Sequence, residues 1–386
     1  MADLKQKVQE LCRVQDPGGM TKNERLLYYL GDFVPGAKKI LGYVSDNFGC
    51  GWYRVKQPAA ITNKLYSDYV NVGVTNYMHT QDVFPDGDAD CFWDAFLFSR
   101  QYNPEVRAWL RVIKDLWNRP AIFDVDDDLF HVDPTSYSYK VFADPETQRQ
   151  LKLFIETCDH ITVSTEPLVD VYKKFGRPIT IVPNGVDFDL LKDLGKRKED
   201  YTKPKLTIGW FGSATHAKDL VLVETVLTDL ITKYPNVNLV IGGWVDCPFF
   251  SGIPADRITR VPWEYDMAKY LRNLTQIDIG ITPLADTVFN TCKSNLKYTE
   301  LAGLGIPVVA SAVFPYKTTI KSGVHGLLTK TAGNIYGSWK EALELLINDA
   351  KLRQTLGVNG RDLVRRKYTQ EIIATQWRDI YLKITT

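Results

Sequence analysis

The chain has 386 residues, 45% apolar and 24% charged, with 47 Lys and Arg against 46 Asp and Glu. That is ordinary globular composition, long enough for two α/β domains with separate cores. No apolar run reaches the ~18–20 residues of a membrane-spanning helix. The near-neutral total hides an asymmetry, since residues 1–200 carry 25 Lys and Arg against 30 Asp and Glu, and residues 201–386 carry 22 against 16. The basic second half is the better host for an anion, and the acidic first half argues against a nucleic acid gripped there through its phosphates.

The opening "MADLKQKVQELCRV" is charged and lacks the apolar centre of a signal peptide, so residues 1–36 read as a helical extension. Cys12, Cys50, Cys91, Cys158, Cys247 and Cys292 stand alone, with no CxxC and no His at metal spacing. They are expected as reduced thiols of a cytoplasmic protein, without structural zinc.

From residue 37 strand and helix signals alternate. "KKILGYVS", "YVNVGVTNYM", "DCFWDAFLF", "PAIFDVDD", "HITVSTEP" and "PITIVPN" are β-branched or aromatic runs of strand length. "NPEVRAWLRVIKDLWNR" has helical spacing and Pro104 near its start. These runs define an expected first domain, 37–190. "KDLGKRKEDYTKPK" is polar, charged and closed by Pro204, which makes 191–204 the expected linker. The rhythm then restarts. "LTIGWFG", "VNLVIGG", "IDIGITPL" and "IPVVAS" are strands; "HAKDLVLVETVLTDLITKYP", "KYTELAGLG" and "GSWKEALELLIND" are helices. A second domain over 205–367 follows, and "TQEIIATQWRDIYLKI" is an amphipathic helix within 368–386. Two successive βαβ series predict an α/β protein of two Rossmann-like, doubly wound parallel-sheet domains facing across a cleft.

Three ordered motifs carry a resemblance. "IVPNGVD" precedes the linker, "IGWFGSATHAKDL" opens the second domain and "KSNLKYTELAGLGIPVVAS" lies near its end. Over about residues 180–312 the chain resembles the GT-B glycosyltransferases, and within them the retaining enzymes of glycosyltransferase family 4. The resemblance implies transfer of a sugar from a nucleotide diphosphate donor, UDP- or GDP-linked, with retention and with no cofactor or divalent metal. It also implies a last helix, 368–386, that crosses back to the first domain.

The residues suit that chemistry. Gly212 and Ser213 end a strand before a helix, where backbone amides and the helix dipole attract phosphate. The family carries an Arg after the glycine and a Lys five residues later, both on the diphosphate. Lys218 matches; Ser213 departs. Lys293 or Lys297 then becomes the candidate for the missing cation, with a solvated surface lysine as the competing reading. Glu300 occupies the family position that hydrogen-bonds the ribose hydroxyls, a task for a two-oxygen acceptor, although a carboxylate in a first helical turn is also a simple cap. A second family glutamate eight residues earlier is replaced by Cys292, which leaves the sugar to the backbone of the 290–294 stretch, with Ser294 and Asn295 beside it. His216 is either a phosphate donor or a capping histidine. Trp263, where the family holds the base, reads as core.

In the first domain "AIFDVDDDLFHVDP" ends a strand in Asp124, Asp126, Asp127 and Asp128. Such charge needs a cation, a hydroxyl-rich ligand or solvent. "DVD" formally matches the metal-binding motif of the GT-A fold; matched strand for strand to family 4, Asp126 and Asp127 face the donor sugar or the acceptor. Gly49 and Gly51 form a tight loop opening a helix, with Arg54 and, from the third strand, Arg100 as candidates for acceptor or phosphate, Arg54 being equally able to pair with the acidic neighbourhood. The expected acceptor is a surface glycan or another hydroxyl, and a modified DNA base stays open. The alternatives are a nucleotide-sugar epimerase, a non-catalytic sugar-nucleotide-binding protein, or a metal-dependent GT-A-like enzyme.

Overall fold

The computed structural model describes residues 34–46, 49–76, 92–134, 136, 138–195, 201–244 and 246–386. The expected extension up to residue 33, Cys12, Cys91 and the linker residues 196–200 lie outside them. Two compact units emerge, and each holds one six-stranded parallel sheet.

The first sheet runs β2-β1-β3-β4-β5-β6, built from β1 (Lys38–Tyr43), β2 (Val70–Thr75), β3 (Ala95–Ser99), β4 (Ala121–Val125), β5 (His160–Val163) and β6 (Ile179–Ile181). Strands β2, β3, β4 and β5 are buried along their whole length. That is why they read as continuous apolar runs without alternation: a parallel sheet is covered on both faces. Helix α1 (Gln57–Tyr66) follows β1. Helices α2 (Pro104–Asp115) and α3 (Pro145–Thr157) start on a side-chain cap followed by a proline. Asn103 accepts from the Glu105 N–H, and Asp144 from the Thr147 N–H. These satisfy amides that the helix itself leaves unpaired. Trp109, Leu110 and Ile113 of α2 are completely buried. A short helix, α4 (Glu166–Tyr172), precedes β6.

The second sheet runs β12-β11-β10-β7-β8-β9: β7 (Leu206–Phe211), β8 (Val237–Gly242), β9 (Ile258–Val261), β10 (Ile279–Thr282), β11 (Val308–Ser311) and β12 (Leu327–Thr329). Its helices are α5 (Phe188–Gly195), α6 (Ala217–Lys233), α7 (Met267–Leu274), α8 (Leu296–Gly303), α9 (Ile335–Asn348) and α10 (Ala350–Lys367). Leu220, Val223, Leu227, Leu230 and Ile231 form the buried side of α6, against β7, β8 and α9 residues including Trp339 and Leu343. Gly305 turns the chain after α8 at φ 78°, a left-handed conformation that glycine adopts without steric cost.

The last helix, α11 (Gln370–Ile384), groups with the first unit. Ile373, Trp377, Ile380 and Tyr381 join Val55, Ala59, Val70 and Val72 in one core, and Tyr66 Oη meets Thr375 Oγ1 at 2.7 Å. The units do not divide at the expected boundary of 190. Residues 185–369 form the second body and take 131–141 with them. The cause is local pairing. Val186 N–H bonds the Tyr368 carbonyl at 2.9 Å, and Leu191 of α5 sits where a Gly303 Cβ would approach within 2.5 Å.

Candidate functional site

The second unit gathers its chemistry at the C-terminal end of β7, where α/β sheets hold their ligands. The Lys297 Nζ, from the start of α8, donates to the Phe211 carbonyl at 2.7 Å and stands over the Trp210 ring at 5.5 Å. A Cβ on Gly212 would lie 3.0 Å from that ammonium and 2.5 Å from the Trp210 ring, so only glycine leaves Lys297 its place. Burial pushes Lys297 down to about 8; nearby Lys293 adds to this, while Glu300 and Asp219 oppose it. A buried ammonium whose charged form is disfavoured by desolvation gains from an added anion, which makes Lys297 a candidate anion-binding group. Lys293 lies 4.5 Å from the Phe289 ring centroid. Asn295 is buried and donates to Thr319 Oγ1 at 2.9 Å, which fixes the residue before α8 and leaves the helix without a side-chain cap.

Glu300, one turn along α8, is 3% exposed. Its Oε2 accepts from Tyr270 Oη of α7 at 3.0 Å, a contact that sets the direction of the carboxylate. His216 precedes α6 directly, and its Nδ1 lies 2.7 Å from Asp219 Oδ2. Asp219 is itself buried; its Oδ1 accepts from the Ala285 N–H at 2.8 Å and Asn290 Nδ2 at 2.9 Å. Burial holds His216 down at about 4, with Lys297 and Lys293 lowering it further against the pull of Asp219. Ser213 pairs its hydroxyl with that of Thr215 at 2.7 Å. Lys218 is half exposed and ion-paired to Asp133 at 3.0 Å, within the same unit.

Trp263 is not core. It is 44% exposed, and nearby Tyr265 is 64% exposed, in the segment between β9, which ends at Val261, and α7, which begins at Met267. Gly243, at φ 83°, has no room for a Cβ beside the Gly212 carbonyl and the Trp263 ring.

In the first unit Arg54 takes the second of its two expected places, among the aspartates. Arg54 is 1% exposed and does not line an open loop. Its Nε and Nη2 reach the two Asp124 oxygens at 3.1 and 2.6 Å, and Nη1 bonds the Val182 carbonyl and Asn184 Oδ1. Thr162 Oγ1 also donates to Asp124. Arg54 and Asp124 are therefore a buried, hydrogen-bonded ion pair of the core. The Gly49–Gly51 loop is tight as expected, but only Gly51 requires glycine: a Cβ there would collide with the Asp46 carbonyl, whereas Gly49 faces open space. The Gly51 N–H is directed to Asp46 Oδ1 at 3.3 Å, so a carboxylate already occupies that amide.

Arg100, at φ 52°, is drawn to the aspartates. Its guanidinium lies 3.7 Å from Asp126 Oδ1 and 3.5 Å from Asp127 Oδ2, and Nη1 is 2.6 Å from Cys50 Sγ. Burial raises the Asp126 pKa, and Arg100 draws it back. Asp126 Oδ1 has no hydrogen-bond partner. Asp128 turns away to accept from the Phe130 N–H. Three of the four aspartates are thus relieved by two arginines from distant segments, and Asp128 by a backbone amide. Among the described residues no group of three His, Cys, Asp or Glu is placed to hold a metal ion.

Sequence reasoning missed Asp219, Tyr270 and Asp133. Asp219 left a trace, since His216 and Asp219 are three apart at a helix start. Tyr270 and Asp133 lie 30 and 85 residues from their partners, and nothing local marks them.

Two six-stranded parallel sheets flanked by helices, with a cationic site at the end of the second domain's first strand, define the GT-B fold. No family model matches the chain. The chain is similar to the capsular polysaccharide biosynthesis glycosyltransferase CapM of Staphylococcus aureus, 24% identical over 211 residues, 51% of this chain. That match spans about half of CapM, 52% of its length. Among solved structures, sucrose-phosphate synthase from Thermosynechococcus elongatus superposes with a TM-score of 0.63 at 16% identity, covering 90% of this chain and 99% of that one. Anabaena HepE in complex with UDP and glucose gives 0.63 at 14% identity, covering 89% and 99%. No helix of the described residues is long and apolar enough to cross a membrane.

Proposed function

We propose that this protein is a glycosyltransferase that moves a sugar from a nucleotide diphosphate donor to an acceptor hydroxyl. The observation that carries the reading is the buried ammonium of Lys297, packed against Gly212 at the end of β7. A diphosphate there gains that ammonium and the uncapped amides of α8, and it restores the charge that burial opposes. Lys218, released from a half-exposed pair with Asp133, adds a second cation. Glu300, oriented by Tyr270, accepts the ribose hydroxyls, and the exposed Trp263 offers a face for the base. UDP is the favoured nucleotide, supported by the UDP and UDP-glucose complexes of the similarly folded HepE.

In this reading the leaving diphosphate is stabilised by positioned cations and amide dipoles, so its departure needs no metal. Retention follows if the departing phosphate oxygen takes the acceptor proton on the same face of the sugar. Asp126 and Asp127, steadied by Arg100, are the first unit's candidates for recognising sugar or acceptor hydroxyls. The acceptor class we assign is a surface glycan, in line with the capsular role in CapM's name.

The test is a thermal-shift panel of UDP- and GDP-sugars, because a bound donor stabilises by RT ln(1 + [L]/Kd). It is followed by product analysis with glycan acceptors, with and without EDTA. The reading requires a nucleotide-sugar hit and acceptor-dependent transfer that survives EDTA. Donor conversion in the absence of any acceptor would overturn it.

A further inference from the structure

The family cation after Gly212 is Ser213 here, and the structure places an unusual pair beside the gap. His216 sits at the start of α6 with its Nδ1 against Asp219 Oδ2 at 2.7 Å. Asp219 is held rigidly: it is 3% exposed, and its other oxygen takes the Ala285 N–H and the Asn290 amide. The ring also meets Trp210 edge-on, at 6.0 Å between centroids. An acceptor on Nδ1 fixes the proton of a neutral imidazole there and leaves Nε2 as the nitrogen able to gain one. The His216 side chain keeps 13% of its surface exposed, and Nε2 has no partner among the described residues.

We propose that His216, held by Asp219, takes up a proton when the diphosphate binds and donates a hydrogen bond from Nε2 to a phosphate oxygen, replacing the cation that Ser213 does not supply. This rests on the donor reading above. The charge balance explains why uptake waits for the ligand. The groups facing His216 are Asp219 on its own helix, Lys297 on α8 and Lys293 just before it, and burial, reinforced by the two lysines, holds the ring neutral in the free protein. Lys218, on the same helix, faces Asp133. A diphosphate brings two negative charges among these lysines, offsets their repulsion and gives the buried imidazolium a counter-charge, and a proton enters from solvent. Asp219 is a positioning residue: its carboxylate keeps Nδ1–H in place and stabilises the imidazolium.

The probes are UDP-glucose and GDP-mannose, whose diphosphate diesters do not titrate near neutrality. Calorimetry at pH 5.5 and 6.5, where Lys297 is charged in both free and bound protein, in buffers of different ionisation enthalpy, counts the protons taken up. The native protein should absorb close to one proton and lose affinity nearly tenfold from pH 5.5 to 6.5. His216→Gln should absorb none and hold its affinity within twofold across that range. Asp219→Asn should lower the proton count, a readout that loss of packing alone would not move. Binding of either probe with no proton uptake by the native protein, or with the same uptake in His216→Gln, refutes the inference and leaves the donor reading intact. No binding of either probe refutes both.

Discussion

Replacing Lys297 by methionine tests the site most directly, because stability and binding should move in opposite directions. The ammonium is displaced from 10.5 to about 8 by burial. At about 1.36 kcal/mol per unit, holding it charged costs the folded protein roughly 3 kcal/mol. Methionine removes that cost and keeps the packing on Trp210, but it forfeits the charge-assisted hydrogen bond to the Phe211 carbonyl, about 1.5–3 kcal/mol. The net expectation at pH 7 is an apo protein more stable by up to about 1.5 kcal/mol, or up to about 3–6 °C in the transition of this unit. The lysine's folded pKa lies below its unfolded one, so the penalty is full below pH 8. It then disappears between pH 8 and 10.5, where the unfolded chain binds the extra proton. The advantage of Lys297→Met should therefore shrink across that window. Donor affinity should fall by about 1.5–3 kcal/mol, roughly 10–150-fold. Urea titrations at several pH values and calorimetry with UDP-glucose provide both readouts. A variant less stable than the native protein at pH 7, or one that binds the donor unchanged, would refute the reasoning.

Three further outcomes are expected. Glu300→Ala should weaken nucleotide binding by about 1.5–3 kcal/mol with the fold preserved, and Tyr270→Phe by a smaller amount, since it loosens the carboxylate without removing it; equal affinity of all three proteins for UDP and GDP by calorimetry would take Glu300 off the ribose. Arg54→Met should cost about 3–5 kcal/mol of stability by stranding Asp124 in the core, checked by chemical denaturation, and a near-neutral result would contradict the buried pair. Lys218→Ala should leave melting almost unchanged, because its pair with Asp133 is half exposed and such pairs contribute roughly 0–1 kcal/mol. The same variant should lower turnover, and native turnover would remove Lys218 from the diphosphate.

The sequence by itself determined the two βαβ series, the strands that form both sheets, and the Gly212 and Glu300 neighbourhoods. Each is written in short-range pattern: buried apolar runs, helical spacing, caps and a glycine where a strand gives way to a helix. It also showed that Ser213 and Cys292 break the expected pattern. Only the tertiary structure decided what the charges do. Arg54 could have met a ligand or an acidic partner and is sealed against Asp124; Trp263 looked like core and is exposed; Asp126 and Asp127 were an unexplained repulsion until Arg100 arrived from another strand. Tyr270 reaches Glu300 across 30 residues, and Asp219 fixes the His216 ring through Nδ1. The physical reason is common to all of them. Backbone conformation is set by neighbours along the chain, whereas the energy of a charge is set by its burial and by partners that only the folded chain brings within a few ångströms.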